Sequence, residues 1–409
     1  METKLSYNSV SPHLLRLRLG GYYQIDPRSP KLRKMLHTIY MRISLAWILV
    51  YTILQAIKVY EVREDIDKVM ATLFLFLTHT DSIYKQVVLT VRSDEIEELL
   101  DIMRGSLYNQ DNPDHKSFLL EVARYSVLIL HLDNILALFT CFLWVVLPFV
   151  LHLQGKPVEF AVWLPFDVNM DPLFYFTALY VWVTTSWLAF CNTSMDVMVS
   201  FLLAQCKTQL SIVRHDLENL MQTSKEESSS TGESYADVIN RRFNKILQHH
   251  VQIIYFAKKV EHIFGNAVAY QFLASGWIIC TSVYRMVEMN PASIQFLSMV
   301  LYIFCMLLQI FMYCYYGNEV THESKKLMQS AYFMDWLNAN VKHRRHLIFF
   351  MERVKCPIQP LAGVIIPLSN ETFVSIVKSS YTFYALLNKL HSRQMSLIKP
   401  FFNRHIVMV

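Results

Sequence analysis

Five stretches of this 409-residue chain run for 20 residues or more with few or no charges, and nothing else in the sequence constrains the fold as strongly. They are Leu36–Val59, Tyr125–Leu153, Leu173–Ala204, Ala267–Val287 and Ile294–Gly317. A hydrocarbon core about 30 Å thick is crossed by about 20 helical residues at about 1.5 Å each, so each stretch is long enough to span. Two weaker candidates join them. Val69–Val91 is interrupted by His79, Asp81 and Lys85, and Leu361–Leu390 contains Asn370, Glu371 and Lys378. Composition agrees: 53% of residues are hydrophobic, 17% are charged, and the mean hydropathy is +0.27, where soluble domains carry about a quarter charged residues. With only 9 Gly and 13 Pro, and no long run of like charge, collagen-like, linker-rich and disordered chains are excluded. The expected fold class is therefore all-α, a polytopic membrane protein with seven transmembrane helices.

Lys and Arg collect in cytoplasmic loops. The first 35 residues and the second, fourth and sixth loops carry 7, 5, 8 and 7 of them, and the alternate loops carry 3, 1 and 1. This predicts an inverted topology, with the N-terminus cytoplasmic and the C-terminus extracellular. The tail runs slightly against it, with Arg393, Lys399 and Arg404. The first 35 residues lack the short apolar core of a signal peptide, so the first span is expected to act as anchor and topology signal. Cys141, Cys191, Cys206, Cys280, Cys305, Cys314 and Cys356 all fall in spans or cytoplasmic loops. No extracellular disulfide is expected, and the cysteines read as small buried apolar groups.

The outer loop Gln154–Pro172 mixes Phe160, Trp163 and Phe166 with Pro157, Pro165 and Pro172. It suits either a lid over the bundle or an interfacial aromatic belt. The loop Gln205–His262 reads as helical, extending the fourth and fifth spans below the membrane, with a flexible polar linker at Thr223–Ser234 (TSKEESSSTGES). Ser330–Lys355 reads as one amphipathic helix, cytosolic or interfacial, and not a span.

No phosphate-binding loop, dinucleotide fingerprint, nucleophile elbow or zinc-spaced Cys and His pattern occurs, so neither enzymatic activity, a cofactor nor a metal is expected. His249 and His250 are adjacent and must face different sides of a helix. The sequons at Asn192 and Asn370 fall in a span and at a cytoplasmic helix start, so glycosylation is not expected. Asp81, Asp133, Asp196 and Lys378 lie within spans and are functional candidates on that ground, although a buried partner such as Asn134 explains the acids equally well.

In the last segment Thr372, Ser375, Ser379, Thr382, Leu386 and Leu390 share one helical face. Small hydroxyls ending in leucine suit a water-filled pore, with the leucines closing it by dewetting, in which case several subunits must surround the axis. They suit a polar seam between helices as well.

Three blocks then resemble the insect odorant receptors. The first is Tyr316-Gly317-Asn318 with Ser324, Leu327, Ala331-Tyr332 and Trp336. The second is Met351 and Arg353 with Pro360-Leu361-Ala362-Gly363. The third is Leu368-Ser369, Glu371-Thr372-Phe373 and Ser380-Tyr381-Thr382 with Leu386-Leu387. The resemblance implies an odorant-gated, non-selective cation channel in olfactory transduction, a tetramer of a tuned subunit and a coreceptor, in the membrane of a sensory dendrite. It implies a division into an N-terminal segment 1–35, a ligand-binding bundle 36–317 that includes the loop 205–262, a cytosolic anchor region 318–360, a pore-lining helix 361–390 and a tail 391–409. That tail is longer than tuned members usually carry. The resemblance further implies a pore face of Ser375, Ser379, Thr382, Leu386 and Leu390, with Leu386 as gate. The odorant pocket is implied in the outer half of the bundle, where Phe74, Leu77, Phe139, Phe142, Tyr175, Tyr180, Thr281, Phe296 and Val300 are candidates, each more readily explained by itself as bundle core. The partners implied are a small volatile hydrophobic ligand, the coreceptor, lipid and permeant cations, with no nucleic acid. A gustatory-type chemoreceptor channel remains the alternative. A G-protein-coupled receptor fits less well, because there is no D-R-Y after the third span and Asn290-Pro291 is followed by Ala-Ser-Ile. A transporter would show internal repeats and broken helices, and neither is seen.

Overall fold

A computed structural model describes residues 4–25, 29–110, 112–334, 336 and 341–386. Two short helices, α1 (Leu5–Asn8) and α2 (Ser11–Leu19), precede the long α3 (Lys31–Glu61) and α4 (Ile66–Val91). Next come α5 (Ser93–Arg104), α6 (Pro113–Leu153), α7 (Leu173–Glu218), α8 (Leu220–Thr231), α9 (Tyr235–Glu288) and α10 (Ile294–Phe333). The chain closes through α11 (Val341–Val354), a hairpin of β1 (Leu361–Ala362) and β2 (Ile366–Pro367), and α12 (370–386). The five strongly apolar stretches all become helices long and apolar enough to span.

Helix starts are set locally. The Asp65 carboxylate accepts from the backbone N–H groups of Asp67 and Lys68, and Asn112, just before Pro113, caps α6 through Asp114. The Ser293 hydroxyl accepts from the Phe296 N–H to open α10. Ser369 does the same for α12, accepting from the Thr372 N–H at 3.2 Å.

Burial orders the bundle. Every residue from 191 to 206 on α7 is buried, and a helix apolar all round belongs at the centre. By contrast α3 exposes Leu36, Ile39, Ile43, Val50 and Ile57, and α6 exposes Leu128, Leu132, Ile135, Phe139 and Phe142. Exposed aliphatic stripes at helical spacing are the lipid-facing surface of a membrane bundle. The 46 residues of α7 and 54 of α9 run about 69 and 81 Å, far beyond the hydrocarbon, so both continue out of the membrane at the end that carries the N-terminus.

The structure adds to and corrects the sequence reading in four places. The N-terminal segment is not merely a basic tail: Val10, Leu14, Leu17, Tyr22 and Tyr23 are fully buried, and the Tyr22 hydroxyl meets Ser82 at 2.7 Å. The polar stretch expected as a flexible linker is helical to Thr231, and only Gly232, at φ 73°, and its neighbours break it. Its hydroxyls bond back to the helix (Thr223 to Asn219, Ser229 to Lys225), and Glu227 clamps Arg241 and Arg242 of α9. Ser330–Lys355 is two helices, because α10 ends at Phe333 and Met334 is extended. The last span begins at 370 and not 361. Pro360 and Pro367 cannot donate, and Gly363 at φ 64° turns the chain into the hairpin.

That hairpin is tied down at both sides. The Gly363 N–H donates to the Gly265 carbonyl at 2.7 Å, and the Ile358 N–H to the Ser324 hydroxyl at 2.9 Å. A Cβ on Gly317 would stand 2.7 Å from the Leu368 carbonyl oxygen, so only glycine lets the linker lie this close to α10. His249 and His250 do face apart: His249 donates to Gln209 Oε1 at 2.8 Å, and His250 meets the Phe350 ring. Both lie beyond the membrane, and burial lowers both imidazoles to about 4, so each is held neutral.

Candidate bundle cavity and exposed last helix

Toward the end of the bundle that carries the loop 154–172, α4, α6, α7 and α10 part to leave a cavity of about 230 Å³. A smaller void of about 60 Å³ lies deeper and shares Leu75, Cys141, Trp144 and Thr185 with it. The wall turns on three rings: Trp144 and Tyr302 lie 5.1 Å apart, Phe74 and Tyr302 5.3 Å, and Phe74 and Trp144 5.9 Å. Met299 and Val181 add apolar surface. The threonines on the wall are mostly spent. Thr140 and Thr185 donate to carbonyls one turn back, and Thr78 donates to Phe74 O and meets the Tyr302 hydroxyl at 2.6 Å. The deeper void is thus closed by shape and dispersion, with Tyr302 and Thr78 paired to each other, while the larger cavity adds Gln295, Ser298, Arg285 and the Lys68–Glu159 pair to its apolar wall.

The loop closes one side. Val158, Phe160 and Val162 are buried against Tyr51 and Phe174, and Phe160 lines the cavity. The Trp163 N–H donates to Leu54 O at 3.2 Å, and Glu159 pairs with Lys68 at 3.0 Å. Of the two readings of this loop, the packed cover is the one the geometry carries.

The pocket candidates divide by rotation about their helix axes. Phe74 lines the cavity. Phe139, Phe142, Tyr175 and Val300 are exposed on the outside of the bundle. Leu77, Tyr180 and Phe296 are half-buried in the packing, Tyr180 between Trp47 and Tyr51, and Thr281 is buried with its hydroxyl on the Trp277 carbonyl. None of these eight reaches the cavity wall. Trp144, Leu75 and Met299 line it, Tyr302 lines the deeper void, and of these Trp144 had a readable signal. On α6 the inward positions 137, 140, 141 and 144 hold Ala, Thr, Cys and Trp, and the outward ones hold Leu, Ile and Phe. In lipid the less apolar face is the interior one.

Beneath the cavity lies a buried ionic knot. Lys85 Nζ donates to Asp196 Oδ1 at 2.5 Å, Asp81 Oδ2 at 2.8 Å and Asn192 Oδ1 at 2.9 Å. The Tyr313 hydroxyl donates to Asp196 at 2.8 Å, and Gln271 bridges Asp196 and Gln309. The Asp196 carboxylate of α7 thus gathers Lys85 of α4, Gln271 of α9 and Tyr313 of α10. The charge that weakened Val69–Val91 as a span is the partner of both acids. Asn134 bonds Leu130 and Ser194 instead, and both oxygens of Asp133 are buried without a hydrogen-bond partner.

On α12 the opposite faces differ. Phe373 meets Phe311 at 5.5 Å, Phe383 stacks on Trp277 at 5.6 Å, and Ser380 is buried beside Gly276. Ser375, Ser379, Thr382 and Leu386 are exposed, with Leu386 at 53%, and Thr372 is half-buried. Leu390 lies outside the described residues, as does the tail.

The model of the family described as 7tm Odorant receptor matches residues 65–381. Odorant receptor Or1 of Anopheles gambiae is 24% identical over 360 residues, covering 84% of this chain and 86% of that protein. Odorant receptor 46a, isoform A, of Drosophila melanogaster is 21% identical over 90% of this chain and 94% of its own length. Odorant receptor 94a of the same fly is 27% identical, over 58% of this chain and only 59% of its own length. Among solved structures, the insect olfactory receptor OR5 from Machilis hrabei in complex with eugenol superposes with a TM-score of 0.81 at 18% identity. It covers 93% of this chain and 97% of that one, and the receptor solved without mention of a ligand gives 0.79. At that identity the likeness is one of fold.

Proposed function

Because the chain belongs to the odorant receptor family of multi-pass membrane proteins, a family of receptors and not of enzymes, we propose that it is the ligand-selective subunit of an odorant-gated, non-selective cation channel assembled with a coreceptor. The observation that carries the channel reading is the unopposed face of α12. A helix that buries Ser380 and half-buries Phe373 against its own bundle while leaving Ser375, Ser379, Thr382 and Leu386 bare has a second surface to satisfy. Hydroxyls ending in leucine suit water and passing ions better than lipid, and copies around an axis place them there. The ligand enters the cavity lined by Phe74, Trp144 and Met299. Its volume and its mostly apolar wall, with Gln295 and Ser298 as polar contacts, suit a small aromatic molecule carrying a polar group, the chemistry of the eugenol named for the Machilis receptor. The charge asymmetry of the loops supports a cytoplasmic N-terminus, with the long ends of α7 and α9 on the same side.

The test is whole-cell current in cells expressing the chain with and without a coreceptor, across an odorant panel, with G-protein signalling blocked. A rapid cation current that needs both subunits, and whose ion permeability or block changes in Leu386→Ala, is the expected result. Loss of the response under the G-protein block overturns the reading. A current unchanged in permeability and block by Leu386→Ala moves the pore away from α12.

A further inference from the structure

At the far end of the bundle from the odorant cavity, the first turn of α6 meets the last turn of α7. Asp114 and His115 come from one, His215 and Asp216 from the other. One donor atom each from His115, His215 and Asp216 lie within 4.8 Å of one another. His115 Nε2 is 2.7 Å from Asp216 Oδ1, His215 Nδ1 is 3.8 Å from the same oxygen, and His215 Nε2 is 3.9 Å from Asp114 Oδ2. The Nδ1 atoms of both rings are buried with no hydrogen-bond partner, so the polar satisfaction of this corner is incomplete.

The cluster sits in the wall of a polar cavity of about 590 Å³, which supplies a route in and room for water. The charged side chains on the cavity balance, Asp114, Asp216 and Glu227 against Arg241, Arg242 and Lys245, so what marks this corner for a cation is its donor set of two imidazoles and two carboxylates. Arg241 and Arg242 on the same cavity are engaged by Glu227. Two imidazoles with a carboxylate suit a borderline divalent ion and not calcium or magnesium, which prefer all-oxygen sets. Tetrahedral bonds of about 2.0–2.1 Å set ligand atoms about 3.4 Å apart, so side-chain shifts of about an ångström close the site.

We propose that His115, His215 and Asp216 bind a zinc-class divalent cation, with Asp114 or water completing the shell, and that the ion staples α6 to α7 outside the membrane. The four residues are about 100 positions apart in two pairs, so no sequence spacing announces the site. The site does not depend on whether the chain conducts.

The experiment uses the full chain, purified without a histidine tag in detergent and freed of metal with a chelator. Co2+ is titrated while its visible d–d absorption is recorded, then displaced with Zn2+. One tightly held Co2+ per chain with a tetrahedral spectrum is expected, together with a rise in melting temperature with Zn2+. His215→Ala and Asp216→Asn, chosen because both side chains are partly exposed, should weaken binding at least about tenfold while helicity and elution volume are unchanged. His262→Ala, at an exposed histidine elsewhere, should leave it intact. No stoichiometric Co2+ binding by the native chain, or equal binding by His215→Ala, overturns the site.

Discussion

A single ammonium, Lys85, is where the cost of burying charge in lipid is met most sharply. Its side chain is 1% exposed and neutralises one of two facing acids, while Asp196 is held in addition by Tyr313 and Gln271. Removing one partner of a buried pair costs about 3–5 kcal/mol because the other charge stays behind. Lys85→Met, which strands two carboxylates, should therefore be the worst of the set. Asp196→Asn should follow, and Asp81→Asn should be mildest, since Lys85 keeps Asp196. Thermal melts of purified protein, or surface delivery in cells, give the order, and a milder Lys85→Met than Asp81→Asn would contradict the assignment. At this scale the sequence was half legible. Charges inside spans announced Asp81 and Asp196 as special, but which groups they met depended on the rotation of four helices. For the same reason the outer-half positions that the resemblance implied for the pocket could not be divided beforehand, and Phe139 and Phe142 are on the outside of the bundle.

The elements themselves were far easier to read. Lipid admits only helices with internally satisfied backbones, so a run of apolar residues fixes a helix with little help from tertiary context. Where water is the solvent the reading failed, because Thr223–Thr231 looked like a linker and is a helix held by Glu227 to its neighbour. The hairpin between α11 and α12 was visible only as a pattern of Pro and Gly, and its role depends on Gly317. A methyl there meets the Leu368 carbonyl, and overpacking of this kind costs about 1–3 kcal/mol. Gly317→Ala should lower surface expression and the melting temperature, while Tyr315→Ala, on an exposed face of the same turn, should not. Equal effects from the two would mean the close approach is not what the glycine provides.

For the molecule as a whole, the loop cover ties α3, α4 and α7 together over the cavity, and the Glu159–Lys68 pair is its outermost fastening. Both side chains are well exposed, so the pair is weak, and its loss should show in ligand kinetics more than in folding. Glu159→Lys alone should speed the decay of the odorant response severalfold at most and leave expression unchanged, and adding Lys68→Glu should restore it. Failure of the double reversal to rescue would show that the two charges act separately. Helix α9 is one unbroken helix of 54 residues that touches α12 through Trp277 and reaches the opposite end through His249. A stiff rod about 81 Å long that tilts by about 5° moves its far end by about 7 Å. In a helix of this length a rotation too small to disturb packing at one end is delivered at the other as a displacement wider than a water molecule.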